Sequence, residues 1–291
     1  MDWFDARGRA LAFRGTRDPY AILVSEVMAQ QTQISRVVEA WARFLERFPT
    51  VQALADATPA DVLRAWQGMG YDRRALNLRR AARIIVAEHG GVIPRDVAAL
   101  EGLPGIGPYT ARAVASIAFG EAVGAVDTNV RRVLGRVLSG SAGPGRSAAW
   151  LQATADLAVD PVRPGDWTHA VMDVGATLCR PVNPRCDACP LEAWCASARD
   201  RADHAAGAPV SPPADQHPRS RPVAFAATTR WLRGRIVDRL RAADGTTWVT
   251  IAAPIGSHDA AAVRSALRAL AHDGLVELDD LDPVRARLAT A

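Results

Sequence analysis

Four cysteines, Cys179, Cys186, Cys189 and Cys195, make up the whole thiol content of this 291-residue chain, and the spacing between them is C-x6-C-x2-C-x5-C. Three chemistries compete for such a set. Disulfides suit secreted chains, and Met1-Asp2-Trp3 begins nothing like a secretory leader. Structural zinc usually draws on two close pairs, whereas only Cys186 and Cys189 form one. Four thiolates on a loop stiffened by Pro181, Pro184 and Pro190 suit a cubane iron–sulfur cluster better, with zinc the alternative on spacing alone.

Two acids stand out from their surroundings. Glu26 lies inside the apolar run Ile22-Leu-Val-Ser-Glu-Val-Met-Ala, with Gln30 one helical turn later and Gln33 two turns later, so the helix carries a single polar stripe. An acid buried on such a face can hold its proton near neutral pH and act as a general acid. Asp127 sits between Val123-Gly-Ala-Val126 and Thr128-Asn129-Val130, where an aspartate can serve as a fixed negative charge or merely as a helix N-cap. Taken singly, either acid could be structural.

The segment Leu103-Pro-Gly-Ile-Gly-Pro-Tyr-Thr-Ala111 reads as a tight turn between two helices, the second starting at Pro108, a favoured first helical position. Glycines let such a turn expose backbone N–H groups, and a helix N-terminus beside them can hold a phosphate. A plain helix–helix turn is the competing reading. All 35 basic residues are arginine. A Schiff-base mechanism would therefore have only the N-terminal amine to use.

The elements that must position these groups are helical. From Ile22 to about Ile117 apolar residues recur at three- and four-residue spacing, broken at Phe48-Pro49, Gly68-Met-Gly70, Gly90-Gly91 and Leu103-Pro-Gly105. Further helices are expected over 128–137, 147–158 and 167–178, after which the cysteine loop begins. Residues 201–222 turn small, polar and proline-rich, as a linker does. Beyond it the pattern predicts a helix over 229–242, a short helix or loop over 252–257, a helix over 259–271 and then Asp-Gly-Leu-Val-Glu-Leu278, which suits the last helix and wing of a winged helix. A small packing domain is the bland alternative there.

Composition sets loose bounds. A 49% hydrophobic content suits a globular protein with real cores, and no stretch approaches the apolar length of a membrane span. A cytoplasmic, nucleoid-associated protein with no membrane partner is the expectation. The net charge of +4 is compatible with a polyanionic partner but says little alone.

Together the motifs resemble a known family. Ser25-Glu-Val-Met-Ala-Gln-Gln-Thr-Gln33, Gly68-Met-Gly-Tyr71, Leu103-Pro-Gly-Ile-Gly107, Val126-Asp-Thr-Asn-Val-Arg-Arg-Val133 and the cysteine loop follow the order seen in MutY-type adenine-DNA glycosylases of the helix-hairpin-helix superfamily, over about residues 3–198. The endonuclease III branch shares the hairpin, the aspartate and the cluster. Glu26 with its Gln-Gln-Thr-Gln run, and Tyr109 where the bifunctional branch carries its Schiff-base lysine, favour the adenine branch.

The resemblance implies an all-α fold, with residues 1–200 as the glycosylase region. Within it, about 17–123 would form a six-helix barrel, and 1–16 plus 124–200 a cluster domain; residues 201–222 would be the linker and 223–291 the winged-helix-like domain. It implies a 4Fe-4S cluster on the four cysteines and a monomer acting on double-stranded DNA with a mispaired or damaged base. Glu26 would protonate the flipped base and Asp127 face the sugar, with Tyr109 and Asn129 in support. Gln31 and Tyr71 would wedge into the base stack, Gln30 would lie at the pocket, and Thr32, Gly105 and Gly107 would contact DNA. The implied reaction is hydrolysis of the N-glycosidic bond of adenine opposite guanine or 8-oxoguanine, without lyase activity.

Several positions depart from the family pattern. Ala12-Phe13-Arg14 replaces the usual Pro-Trp-Arg, Ala29 a leucine, Asp72 a second tyrosine and Thr128 a frequent glycine. Ala29 should enlarge the pocket enough to alter base discrimination by about 1–3 kcal/mol. Residues 223–291 also lack the look of the β-domain that commonly inspects the opposite base, so hypoxanthine, uracil or thymine is an alternative substrate. A non-catalytic iron–sulfur DNA-binding regulator is the other alternative; it would need neither Glu26 nor Asp127.

Overall fold

The computed structural model describes residues 1–140, 146–204, 224–244, 247–279 and 284–290, with the side chains of 201–204 left aside. Most of the expected linker lies outside the described residues. The chain divides into two compact units, one of residues 1–26, 94–102 and 106–214, the other of 27–93, 103–105 and 215–291. Both are predominantly helical, as the periodicity predicts.

In the first unit the helices Thr128–Ser139, Ala148–Ala158 and Pro164–Asp173 pack around Val130, Val133, Leu134, Leu151, Ala155 and Val171. The third begins three residues before the expected Trp167, because Pro164 supplies a preset φ at its first position. It then runs into a wider turn, Val174–Leu178, before the cysteine loop. There Gly175 approaches so closely that a Cβ would lie 2.6 Å from the Asn129 Cβ, so only glycine fits without movement. Gly107 stands at the N-cap of the Pro108–Phe119 helix, and Gly120, with φ of 71°, closes its C-terminus.

In the second unit the Ile34–Arg47 helix buries Val37, Ala40 and Phe44 at the spacing of one helical face. Phe44 meets Phe48 and Trp66 edge-on, with ring centroids 5.0 and 5.8 Å apart. Thr50 and Thr58 cap the next two helices through 3.1 Å bonds from Ala53 N and Asp61 N. The C-terminal residues add the helices Thr229–Arg241 and Ala260–His272, capped by Thr228 and Asp259. Three short strands, β1 (Val249–Thr250), β2 (Val276–Asp279) and β3 (Arg285–Leu288), form an antiparallel sheet in the order β1-β3-β2. Residues 252–257 are a loop holding the Ile255–His258 bridge and Pro254, not a helix.

Candidate active site and nucleic-acid surface

The Pro19–Ala29 helix carries Glu26, which is only 7% exposed. Its Oε2 accepts a 2.9 Å hydrogen bond from the Tyr109 hydroxyl, with the Met172 sulfur 3.7 Å from the same hydroxyl. Burial drives the Glu26 carboxyl up to about 7, the Tyr109 bond pulls the other way, and the negative charge of Asp127 adds to the rise. Tyr109 itself is pushed well above its ordinary value, first by burial and then by Glu26 and Asp127. It is therefore a donor throughout the physiological range.

Asp127 is the N-cap of the Thr128–Ser139 helix, so the plainer reading of its sequence position holds as far as it goes. Its Oδ1 accepts from Val130 N at 2.7 Å, and its Oδ2 accepts from Asn129 Nδ2 at 2.8 Å. Each oxygen keeps a lone pair beyond these bonds. Among the described residues no hydrogen bond joins this pair to Glu26 and Tyr109; the two acids interact through space.

Arg132 went unremarked in the sequence and anchors the Asn129 side chain. Its guanidinium donates to Asn129 Oδ1 at 2.8 Å, to the Gly175 carbonyl at 2.7 Å and to the Cys179 carbonyl at 2.7 Å. One cation thus ties the Asp127–Asn129 turn to the start of the cysteine loop. A second network, also missed, surrounds the fully buried Asp173. It accepts from Arg9 N and Nε at 2.8 and 2.7 Å and from both terminal nitrogens of Arg14 at 2.8 Å. Burial alone would raise the Asp173 carboxyl, but Arg14 and Arg9 hold it below its ordinary value. Burial, and then Arg14, keep the neighbouring His169 neutral, with its value near 3.

All four cysteines border one cavity of about 210 Å³, whose other walls include Val133, Val137, Val174 and Leu178. Burial raises the Cys189 thiol, and the other three sulfurs raise it further, so the four lie within electrostatic reach of one another. They do not converge on a point: among the described residues no three His, Cys, Asp or Glu side chains are placed to hold a single metal ion. Arg136 donates toward the Cys179 sulfur at 3.5 Å.

In the second unit, Gln31 and Tyr71 both adopt left-handed backbone, with φ of 57° and 50°. Such conformations are uncommon outside glycine and are kept only where the surroundings enforce them. Arg74, another residue the sequence gave no reason to notice, does the enforcing. Its guanidinium donates to the carbonyls of Val27 and Met28 at 2.9 Å and of Gln30, to Thr32 Oγ1 at 2.8 Å, and to the carbonyls of Met69 and Gly70 at 3.2 and 3.0 Å. Both turns are therefore held by one side chain. The Gln30 amide donates to the Gly105 carbonyl at 3.3 Å, and Thr32 reaches the Met69 carbonyl. Gly105 has φ of 80°, and a Cβ there would lie 2.8 Å from the Asn77 Cβ. Tyr71 is 38% exposed and flanked by two guanidiniums, Arg74 at 5.4 Å and Arg230 at 4.0 Å from its ring centre. No helix among the described residues is long and apolar enough to cross a membrane.

Comparison with known proteins follows the same lines. A model of the HhH-GPD superfamily of base excision DNA repair proteins matches residues 24–151. The adenine DNA glycosylase of Mycolicibacterium smegmatis is 42% identical over 282 residues, 95% of this chain and 91% of that protein. Among solved structures, a thermostable thymine-DNA glycosylase is similar with a TM-score of 0.64 and 28% identity, over 68% of this chain and 93% of that one. Endonuclease III in a non-covalent complex with DNA gives 0.59 and 25% over 69% and 92%.

Proposed function

This chain belongs to the HhH-GPD superfamily of base excision DNA repair proteins, in its MutY-type adenine glycosylase branch, and from that premise we propose that it hydrolyses the N-glycosidic bond of an adenine mispaired with guanine or 8-oxoguanine. The observation that carries the reading is the state of Glu26: buried, bonded to Tyr109 and titrating near 7, it is half-protonated where the enzyme works.

An adenine inside a duplex is out of reach of either acid, so the nucleotide must leave the stack. Gln31 and Tyr71, on strained and clamped turns, are the side chains we assign to the vacated space. Gly105 and Gly107 in the hairpin, with Thr32 and Gln30, are assigned to the DNA around it. Once the base is flipped, Glu26 gives its proton to a ring nitrogen and turns adenine into a competent leaving group. Tyr109 orients the carboxyl. As the bond to the sugar lengthens, positive charge grows on the anomeric carbon, and the Asp127 carboxylate, pinned by Asn129 and Val130, stabilises it without having to reorganise. Asp127 then guides water to that carbon or bonds to it transiently. With no lysine in the chain, the reaction ends at the abasic site.

The four thiols fit a cubane iron–sulfur cluster: they are the right donors, they border a common cavity and they stand too far apart for one ion. Cys179, Cys186, Cys189 and Cys195 would hold it, and a bound cluster would fasten the loop at four points. Arg132 would pass that order to Asn129. Iron and acid-labile sulfide in the purified protein, lost on Cys186→Ser, test the assignment.

The test of the activity is single-turnover base release from duplexes carrying adenine opposite each partner, with uracil, hypoxanthine and thymine arms, read as alkali-labile strand breaks. Release confined to adenine supports the reading. Release of thymine alone would favour the thymine glycosylase likeness and the wider pocket expected from Ala29. Absence of borohydride trapping on abasic DNA tests the missing lyase step. The setting of such work is a monomer in the cytoplasm, on the nucleoid.

A further inference from the structure

A groove of about 1150 Å³ opens between the Gln30–Gln33 and Gly68–Arg74 turns and the C-terminal helix Thr229–Arg241. It exceeds the ~300–1,000 Å³ usual for a small-molecule site. Seven arginines line it against three aspartates, a balance that suits a polyanion. Arg233 and Arg73 pair with Asp273, and Arg241 with Asp72. Arg230 and Arg36 have no ion pair among the described residues and are exposed.

Arg230 has instead an aromatic setting. It lies 4.0 Å from the ring centre of Tyr71 and 5.8 Å from that of Phe225, which is 60% exposed. Arg74 continues the series inward, 5.4 Å from both Tyr71 and Trp66. Rings and guanidiniums therefore alternate from the buried Trp66 to the exposed Phe225. Such a series offers flat, cationic surface on which a nucleobase can stack, while the glutamines beside it offer amides to base edges.

Resting on the proposed function, we propose that this groove holds the DNA strand facing the flipped nucleotide, with the orphaned partner base stacked against Arg230 and Phe225. The C-terminal residues would then be a working part of lesion recognition through a helix, Thr229–Arg241, and not through a wing. Tyr71 fits both roles at once: one part of it enters the stack and the rest is held by Arg230.

The experiment measures binding of the full-length protein to a duplex with an uncleavable 2′-fluoro adenosine, and 2-aminopurine as the partner base reports stacking by quenching. Arg230→Ala and Phe225→Ala are compared with Arg239→Ala, which removes the same charge from an exposed position on the same helix outside the groove. The expected result is binding about tenfold weaker for Arg230→Ala with the quench lost, and a quench reduced in Phe225→Ala. The salt slope should also fall by about one where a phosphate contact is lost. Arg239→Ala should behave as wild type. Unchanged binding and quenching in both groove variants, or equal losses in all three, would overturn the proposal. A wild-type protein that binds and quenches but releases no adenine would sink the proposed activity and leave the groove standing.

Discussion

The Tyr109 hydroxyl donates to Oε2 of Glu26 at 2.9 Å inside a site where burial has raised the carboxyl to about 7. A donor at that distance favours the ionised acid, so Tyr109 keeps a buried glutamic acid from becoming permanently protonated. The pair sets a working range as well as a geometry.

Base release should therefore fall about tenfold per pH unit above roughly 7, as Glu26 loses the proton it must donate. Tyr109→Phe removes a bond that lowers the value, so that limb should move to higher pH. Asp127→Asn removes a charge that raises it, so any residual activity should show the limb at lower pH. Single-turnover rates across pH 5–9 (roughly the range on either side of that value) read both shifts. A flat profile would show that another group supplies the proton.

The same burial makes Glu26 a stability liability. Its folded value of about 7 lies above the model value of 4.5, so the folded state binds the extra proton, and stability falls as pH rises between the two. By that linkage Glu26→Gln should stabilise the protein by about 3 kcal/mol at pH 8, with the gain fading to nothing below about pH 4.5. Denaturant titrations of the two proteins at both pH values check the sign.

Asp127→Asn should lower base release by about a hundredfold to a thousandfold while leaving the melting temperature nearly unchanged, because asparagine also caps helices well. Asp127→Ala should lose the same activity and a further ~1 kcal/mol of stability. Equal melting temperatures for the two variants would show that the 2.7 Å bond from Val130 N is not holding the helix start.

Gly105→Ala should cost about 1–3 kcal/mol, since it combines φ of 80° with a Cβ set 2.8 Å from that of Asn77. Duplex binding should weaken with it, for the hairpin would have to move. Gly107, with extended backbone and open space where a Cβ would go, should tolerate alanine, and thermal melts of the two side by side separate backbone strain from the loss of any glycine.

Much of this was legible in the residues themselves. Glu26, Tyr109, Asp127 and Asn129 were identifiable by motif, and the structure brings them together in one unit as two bonded pairs. The helix breaks at Gly90 and at Phe48-Pro49 follow from left-handed glycine and from proline, which are local effects. What escaped notice is nearly all arginine. Arg14, Arg74, Arg132 and Arg230 act on partners tens to more than a hundred residues away, and a charged side chain carries no local sign of whether it will be buried on carbonyls or solvated. In a chain whose cations are all arginine, the four that organise the site look like the rest. The Pro164 helix start was misplaced for the opposite reason: the signal was local and plain, and the more conspicuous Trp167 drew the boundary.

Asp127 serves two masters with one carboxyl group, starting a helix with one oxygen and meeting Asn129 with the other. A charge aimed at a sugar is thereby built into the first turn of the Thr128–Ser139 helix, so thermal motion cannot blunt its aim without fraying that turn. Loosening of the helix and misdirection of the charge should set in together on heating, and activity should fade below the global melt.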